Sequence, residues 1–236
     1  MTFVFAVAVL AWMSGCKTVT SPSTTGSFSG RIVLFDSTRY QMPDFSGATV
    51  QLDGTSFHTT TDSLGAWDIS GVPEGLYNIS ASKPGFGTYH WYQTNMTGGT
   101  YYLSTVYIAR MPTDVPVLDS VWGSASDGGW QFVGHTTGGM DFVVGYCDTN
   151  STIQPFEPHL ATNLMGSSGG FAVDDLRTAG ARSGQTLYIS VSAVFNAGGD
   201  LTGFGGPPFI FFDPAHNEYR WASTGPKSNV ITVTMP

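Results

Sequence analysis

Residues 61–86 read TDSLGAWDISGVPEGLYNISASKPGF. Trp67 and Ile69 alternate with Asp68 and Ser70, and Tyr77, Ile79 and Ala81 alternate with Asn78 and Ser80. A two-residue period of this kind belongs to strands with one buried face. Turn formers bracket both runs: Asp62-Ser63-Leu64-Gly65, Gly71-Val72-Pro73-Glu74-Gly75 and Lys83-Pro84-Gly85. Asp62 is suited to cap its own turn, Gly65 and Gly75 to supply unusual φ, and Tyr77 to pack inward. Outward from this stretch, residues 30–35 (GRIVLF) begin a strand. Ala48, Val50 and Leu52 alternate with Thr49, Gln51 and Asp53 up to an Asp53-Gly54 turn. Residues 57–61 and 101–109 (YYLSTVYIA) supply two more strands, the last expected to be long and continuous.

Composition agrees with an all-β chain. Of 236 residues, 30 are Gly, 13 are Pro and 14% are aromatic, while only 11% are charged, against about 25% in ordinary domains. Few charges with many turn formers and rings describe an extracytoplasmic β protein. Lys and Arg number 9 against 17 Asp and Glu, a formal charge of −8. With no basic cluster, a nucleic-acid partner is excluded, because phosphate contacts supply most of that affinity. Two cysteines make no disulfide framework.

The elements around residues 61–86 resemble the carboxypeptidase regulatory-like domain, a small transthyretin-like β-sandwich. The resemblance rests on Gly30, Gly47-Ala48-Thr49-Val50, Leu52, Thr61-Asp62, Gly65, Trp67, Ile69, Val72-Pro73, Gly75, Tyr77, Ile79, Ala81 and Gly85-Phe86. These positions are structural, and such modules serve mostly as non-catalytic stalks. The fold is related to starch-binding-like sandwiches, so carbohydrate binding stands as an alternative by analogy. Residues 111–116 (MPTDVP) read as a stiff linker. Beyond it, strands are expected at 117–122, 130–135, 141–147, 171–176, 187–195 and 229–235. Residues 184–193 (GQTLYISVSA) and 228–233 (SNVITV) resemble the sixth and last strands of a fibronectin type III domain. Residues 148–170 and 196–221 remain as long irregular segments of the kind that often carry function.

The N-terminus reads as an address. Residues 3–13 (FVFAVAVLAWM) are apolar but too short to span a bilayer; a buried first strand is the alternative. Met13-Ser14-Gly15-Cys16 resembles the lipobox of bacterial lipoproteins, although no Lys or Arg precedes the apolar run. The resemblance implies acylation of Cys16, with the Ser/Thr-rich segment after it as a tether. Lys17 after the Cys implies the outer membrane. Cys147 is then a lone thiol, expected to be buried in a strand and unreactive.

No catalytic constellation emerges. Gly166-Ser167-Ser168-Gly169-Gly170 has the form G-x-S-x-G, but the strand and helix that a nucleophile elbow needs are absent from the pattern. The five histidines are scattered with no H-E-x-x-H pair, so no metal or other cofactor is expected. His216, Glu218 and Asp213 can form a polar cluster, with a solvated loop as the plainer reading. Rings gather at Tyr89-His90-Trp91-Tyr92, Tyr101-Tyr102, Trp130 and Tyr219-Arg220-Trp221, and exposed rings stack on sugar faces. Half of each alternating pair is also expected to face the core.

The expected protein is therefore all-β: residues 1–16 a lipoprotein signal, 17–26 a tether, and two tandem β-sandwiches over 27–111 and 113–236. Its expected function is non-catalytic binding or display at the cell surface, with the membrane, a polysaccharide or another surface protein as partner. The alternatives are a carbohydrate-binding module and a hydrolase with an unrecognised site. Tyr89, Trp91, Tyr92 and Trp221 are the candidate binding residues, and Cys16 the candidate lipidation site.

Overall fold

The run GRIVLF has too few polar residues for a strand with a wet face, and the structure shows why. β1 (Thr25–Phe35) is a central strand whose second half is buried on both faces. The computed structural model describes residues 24–37, 40–124, 128–136, 143–153, 159, 161–165, 168–194 and 210–236. Cys16 and the rest of the expected signal lie outside the described residues. Thr25 and Gly26, read as the end of the tether, belong to β1, where Gly26 pairs with Val72 and Gly99.

After β1 come β2 (Thr49–Leu52), β3 (His58–Thr60), β4 (Ala66–Pro73), β5 (Gly75–Ser82), β6 (Thr88–Met96), β7 (Gly99–Tyr102) and β8 (Val106–Ala109). One sheet runs β4-β1-β7, with β8 also on β1; the facing sheet runs β3-β2-β5-β6. The expected long strand over 101–109 is broken in two. Both pieces lie parallel to β1, but Ser29 pairs with Tyr102 and Ile32 with Val106. The second segment thus carries one residue more than β1 between these pairs, and Leu103 turns inward to become buried.

Residues 71–75 also differ from expectation. Gly71 takes a φ of 71° inside β4, where two residues oppose one between the Gly26–Val72 and Phe28–Ile69 pairs. This β-bulge lets Trp67, Ile69 and Val72 all face the core. Gly75 is not at positive φ; a Cβ there would sit 3.4 Å from the Tyr77 ring. Tyr77 packs on the core, and its hydroxyl donates to the Pro73 carbonyl at 3.0 Å.

The second half contains β9 (Val117–Ser124), β10 (Gly129–His135), β11 (Val143–Asp148), β12 (Ala161–Met165), β13 (Ser168–Ala172), α1 (Val173–Thr178) and β14 (Thr186–Val194). It ends with β15 (Ile210–Asp213), β16 (Glu218–Trp221), β17 (Thr224–Lys227) and β18 (Ile231–Thr234). A sheet β13-β10-β9 faces a sheet β12-β11-β14-β17, with β18 also on β14, and β15 and β16 form a separate hairpin. The expected strand over 171–176 turns helical at Val173. Asp174 and Asp175 sit in the first turn and Arg177 in the last, which suits the helix dipole, while Val173 and Leu176 are buried. Ser168 opens β13 opposite Val133 and is no nucleophile elbow. Cys147 is fully buried in β11, and burial first, then Asp148, pushes its pKa up to about 12.

Two apolar cores result. Leu118, Phe132, Phe171, Leu187 and Ile189 belong to the core of the second sandwich. The core of the first holds Phe28, Ile32, Leu34, Leu52 and Ile79, and it continues into Val144, Tyr146, Val194 and Trp221 of the second half. Hydrogen bonds reinforce that junction. Thr88 N donates to Ala222 O at 2.8 Å, and Ser223 Oγ both accepts from Ala109 N at 3.1 Å and donates to Ala109 O at 3.0 Å. This junction sets the β15–β16 hairpin against the first sandwich.

Candidate functional site

Among the described residues, β6 lies at the edge of its sheet, paired only with β5. Tyr89 pairs with Ala81 and Trp91 with Ile79, so these two rings share the inner face with buried residues. Trp91 meets Trp67 at 6.0 Å between ring centroids, and Tyr89 meets Trp91 at 4.8 Å. His90 pairs with Ser80 and lies on the outer face, its ring stacked 5.5 Å from that of Tyr92 at an interplanar angle of 13°.

Past Tyr92 the strand bulges. Two residues of β6 face Asn78 alone between the Ile79–Trp91 and Tyr77–Thr94 pairs. Gln93 takes a φ of 53°, which a non-glycine residue rarely adopts. Its N–H donates to Asn78 Oδ1 at 3.0 Å, which compensates the lost ladder bond. Such strained positions recur at ligand sites. Here the bulge resets the alternation, so Thr94 and Met96 turn inward while Gln93 and Asn95 stay exposed.

The β15–β16 hairpin forms the other bank. Phe211 lies against three rings of β6, with centroids 5.6 Å from Tyr89, 5.1 Å from His90 and 6.1 Å from Tyr92. Between β6 and this hairpin runs a groove of about 610 Å³, lined among others by Tyr92, Gln93, Asn95, Thr97, Tyr101 and Phe212. A cavity of about 300 Å³ adjoins it; His90, Tyr92 and Phe211 line both, and Arg220 lines the smaller one. The buried atoms His90 Nδ1 and Trp91 Nε1 have no hydrogen-bond partner among the described residues, a costly state for a polar atom away from water.

A carboxylate holds the hairpin in shape. Asp213 is 3% exposed, and its Oδ2 lies 2.6 Å from His216 Nδ1 and 3.0 Å from Arg220 Nε. Ala215 N donates to its Oδ1 at 3.0 Å. Burial works to raise the Asp213 pKa, but the bonds from His216 and Ala215 and the Arg220 charge outweigh it and hold the pKa low. Burial likewise holds the His90 imidazole below its ordinary 6.5; Asp53 and Asp213 oppose that shift, and Arg220 adds to it.

Both shifts tie stability to pH. A His with a depressed folded pKa favours the neutral form, so its contribution is complete above 6.5 and falls away as acid protonates the unfolded chain first. Asp213 contributes fully above 3.8 and loses that contribution as pH falls through its lower folded value. Urea unfolding is therefore expected to show two acid steps, the first removed in His90→Phe and the second in Asp213→Asn. A first step that survives in His90→Phe would assign it elsewhere.

The structure gathers three of the four sequence-predicted binding residues, Tyr89, Trp91 and Tyr92, along the groove. Trp221 is not among them. It pairs with Ile210 across the hairpin, its side chain enters the first core and it is 9% exposed, so its ring cannot serve as a stacking face. Exposure on that face passes to Phe212 and Tyr219, 43% and 64% exposed and 5.2 Å apart. Phe212 falls in the 196–221 segment, of the kind expected to carry function; sequence reasoning missed the amides of Gln93 and Asn95. Their only signal was the position of Gln93 and Asn95 just after an aromatic run.

No family model matches the chain, and no curated protein matches it. Among solved structures, a chain of a cohesin–X-dockerin complex from Acetivibrio cellulolyticus is 26% identical with a TM-score of 0.32; 36% of the present chain and 58% of that chain are covered. The present chain thus spans little more than half of its length. A DUF3823 family protein from Bacteroides ovatus is 13% identical with a TM-score of 0.28, covering 91% of this chain and all of that one. The chicken CNTN1 FN1–FN3 domains are 14% identical with a TM-score of 0.32, covering 91% of this chain and 64% of theirs. At these scores none of the likenesses carries an argument about function.

Proposed function

We propose that the chain is a non-catalytic surface protein that binds a polysaccharide through the groove beside β6. Acyl chains on Cys16 hold it at an outer membrane, residues 17–26 act mainly as tether, and two sandwiches over 27–111 and 113–236 carry the groove away from the lipid. In this reading the first sandwich is a carboxypeptidase regulatory-like module and the second a fibronectin-like one. The observation that carries the binding reading is the convergence of rings and amides in one groove: Tyr92, Tyr101 and Phe212 with Gln93 and Asn95. Rings offer flat apolar faces to the C–H face of a sugar, and amides both donate to and accept from hydroxyls.

Polysaccharide pull-down with purified protein tests this directly. Retention is expected to fall in Trp91→Ala and Tyr92→Ala, with Trp122→Ala as the control, because Trp122 is 50% exposed on β9 and does not line the groove. Undiminished retention in both groove variants would remove the groove as the binding surface.

A further inference from the structure

Resting on the reading of the groove as a polysaccharide site, we infer that its ligand is an uncharged glycan, stacked between Tyr101 and Phe212 and bonded by Gln93 and Asn95. The first ground is the lining. Among the described residues, no Asp, Glu, Lys or Arg lines the groove. A uronate or sulfate ester buried there would lose water without gaining a counter-charge, and a basic ligand would lack a carboxylate.

The charged groups next to it are already engaged. Arg220 lines the adjoining cavity, where its Nε faces the Asp213 carboxylate at 3.0 Å. Asp53 accepts from Ser80 Oγ at 2.6 Å. The imidazole of His90, set between the Tyr92 and Phe211 rings, is biased to its neutral form. The whole chain carries −8, which repels polyanions.

A purely apolar ligand fits no better. Gln93, Asn95 and Thr97 line the groove, and an apolar occupant would cover them without offering partners. A hydroxylated one offers them partners, because amides and hydroxyls both donate and accept. A peptide strand added to the β6 edge is disfavoured because Phe211 already lies across Tyr89, His90 and Tyr92. What remains is a chain with flat C–H faces, many hydroxyls and no charge.

The two rings differ from the core aromatics in one respect: Tyr101 is 49% and Phe212 43% exposed, so each can be truncated without opening a core. Tyr101 sits on β7 in T-shaped contact with Phe28, and Phe212 sits on the hairpin, so the two rings reach the groove from different elements. Asn95 is exposed on β6 after the bulge.

Affinity electrophoresis of the full chain through gels of neutral polysaccharides (glucan, mannan, xylan) and anionic ones (polygalacturonate, alginate) tests the inference. Neutral gels are expected to retard the protein and anionic gels not to. Phe212→Ala and Asn95→Ala should each weaken neutral binding roughly tenfold with unchanged unfolding midpoints. Equal or stronger retardation by an anionic gel, lost in Phe212→Ala, overturns the uncharged-ligand inference and leaves the groove as a polysaccharide site. Retardation by neither class, or cross-linking of the groove to a protein instead, overturns the polysaccharide reading itself.

Discussion

Gly65→Ala is expected to destabilise the first sandwich by about 3–5 kcal/mol, a large effect for one methyl group. Gly65 holds a φ of 80°, which costs an L-residue about 1–2 kcal/mol. The space matters more. A Cβ at this position would collide with the Ile32 carbonyl oxygen and press on Phe45. The Asp62 turn cannot back away, because four bonds fix it: Asp62 Oδ1 accepts from Leu64 N and from Ala66 N, both at 2.9 Å, Gly65 N donates to Asp62 O at 3.0 Å, and Ile32 N donates to Gly65 O at 2.9 Å. Relief must therefore come from the centre of β1, where Ile32 is fully buried. Gly54→Ala separates the two contributions. Gly54 has a φ of 73° but open space around its Cβ position, so only the conformational cost of about 1 kcal/mol is expected. Equal unfolding midpoints for the two variants in urea would show that the contact with Ile32 is not tight.

The same turn shows what one-dimensional pattern can and cannot reveal. Asp62-Ser63-Leu64-Gly65 is legible because three of its four bonds are local, between residues two to four apart. Ala48, Val50, Leu52, Trp67, Ile69, Ile79 and Ala81 are legible because alternation is local too, and all are buried as that period requires. The break between β7 and β8 is not local. It arises from register against β1, more than 70 residues earlier in the chain, and nothing within YYLSTVYIA marks it. Gly71 looked like a turn residue for the related reason that a bulge and a turn both use a glycine at positive φ; only the partner strand tells them apart.

The site was half visible. A run of four aromatic residues, Tyr89-His90-Trp91-Tyr92, stands out in any reading, but their division between inner and outer faces depends on pairing with β5. Trp221 shows the cost of judging a ring by its neighbours. Beside Tyr219 and Arg220 it reads as surface, yet pairing with Ile210 turns it into the core. Phe211 and Phe212 reach β6 from more than 100 residues away, so no spacing rule links them to it. The Asp213–His216–Arg220 arrangement was partly foreseen, since two of its members lie three residues apart; the plainer expectation of a solvated loop fails because Asp213 is buried.

Gly87→Ala is expected to separate the two sandwiches without unfolding either. Gly87 is not at positive φ, so the argument is one of space alone: a Cβ there would overlap the Ala222 carbonyl, whose oxygen accepts from Thr88 N at 2.8 Å. On the other side Gly87 N is held by Ala109 O at 3.0 Å, and Ala109 is bonded in both directions to Ser223. A shift that admits the methyl group must lift the segment of Ala222 and Ser223 from the first sandwich. With it go three hydrogen bonds, each worth about 1 kcal/mol net, and much of the burial of Trp221, a further 2–3 kcal/mol by area. Calorimetry of the parent is expected to give one joined transition, and of Gly87→Ala two separate ones. The groove should suffer in parallel, because Phe211 is carried on the same hairpin as Trp221, and lifting one withdraws the other from Tyr89, His90 and Tyr92. Loss of ligand binding together with the split transition would tie recognition to the junction between sandwiches. A single unshifted transition would show that the contact of Gly87 with Ala222 gives way at no cost.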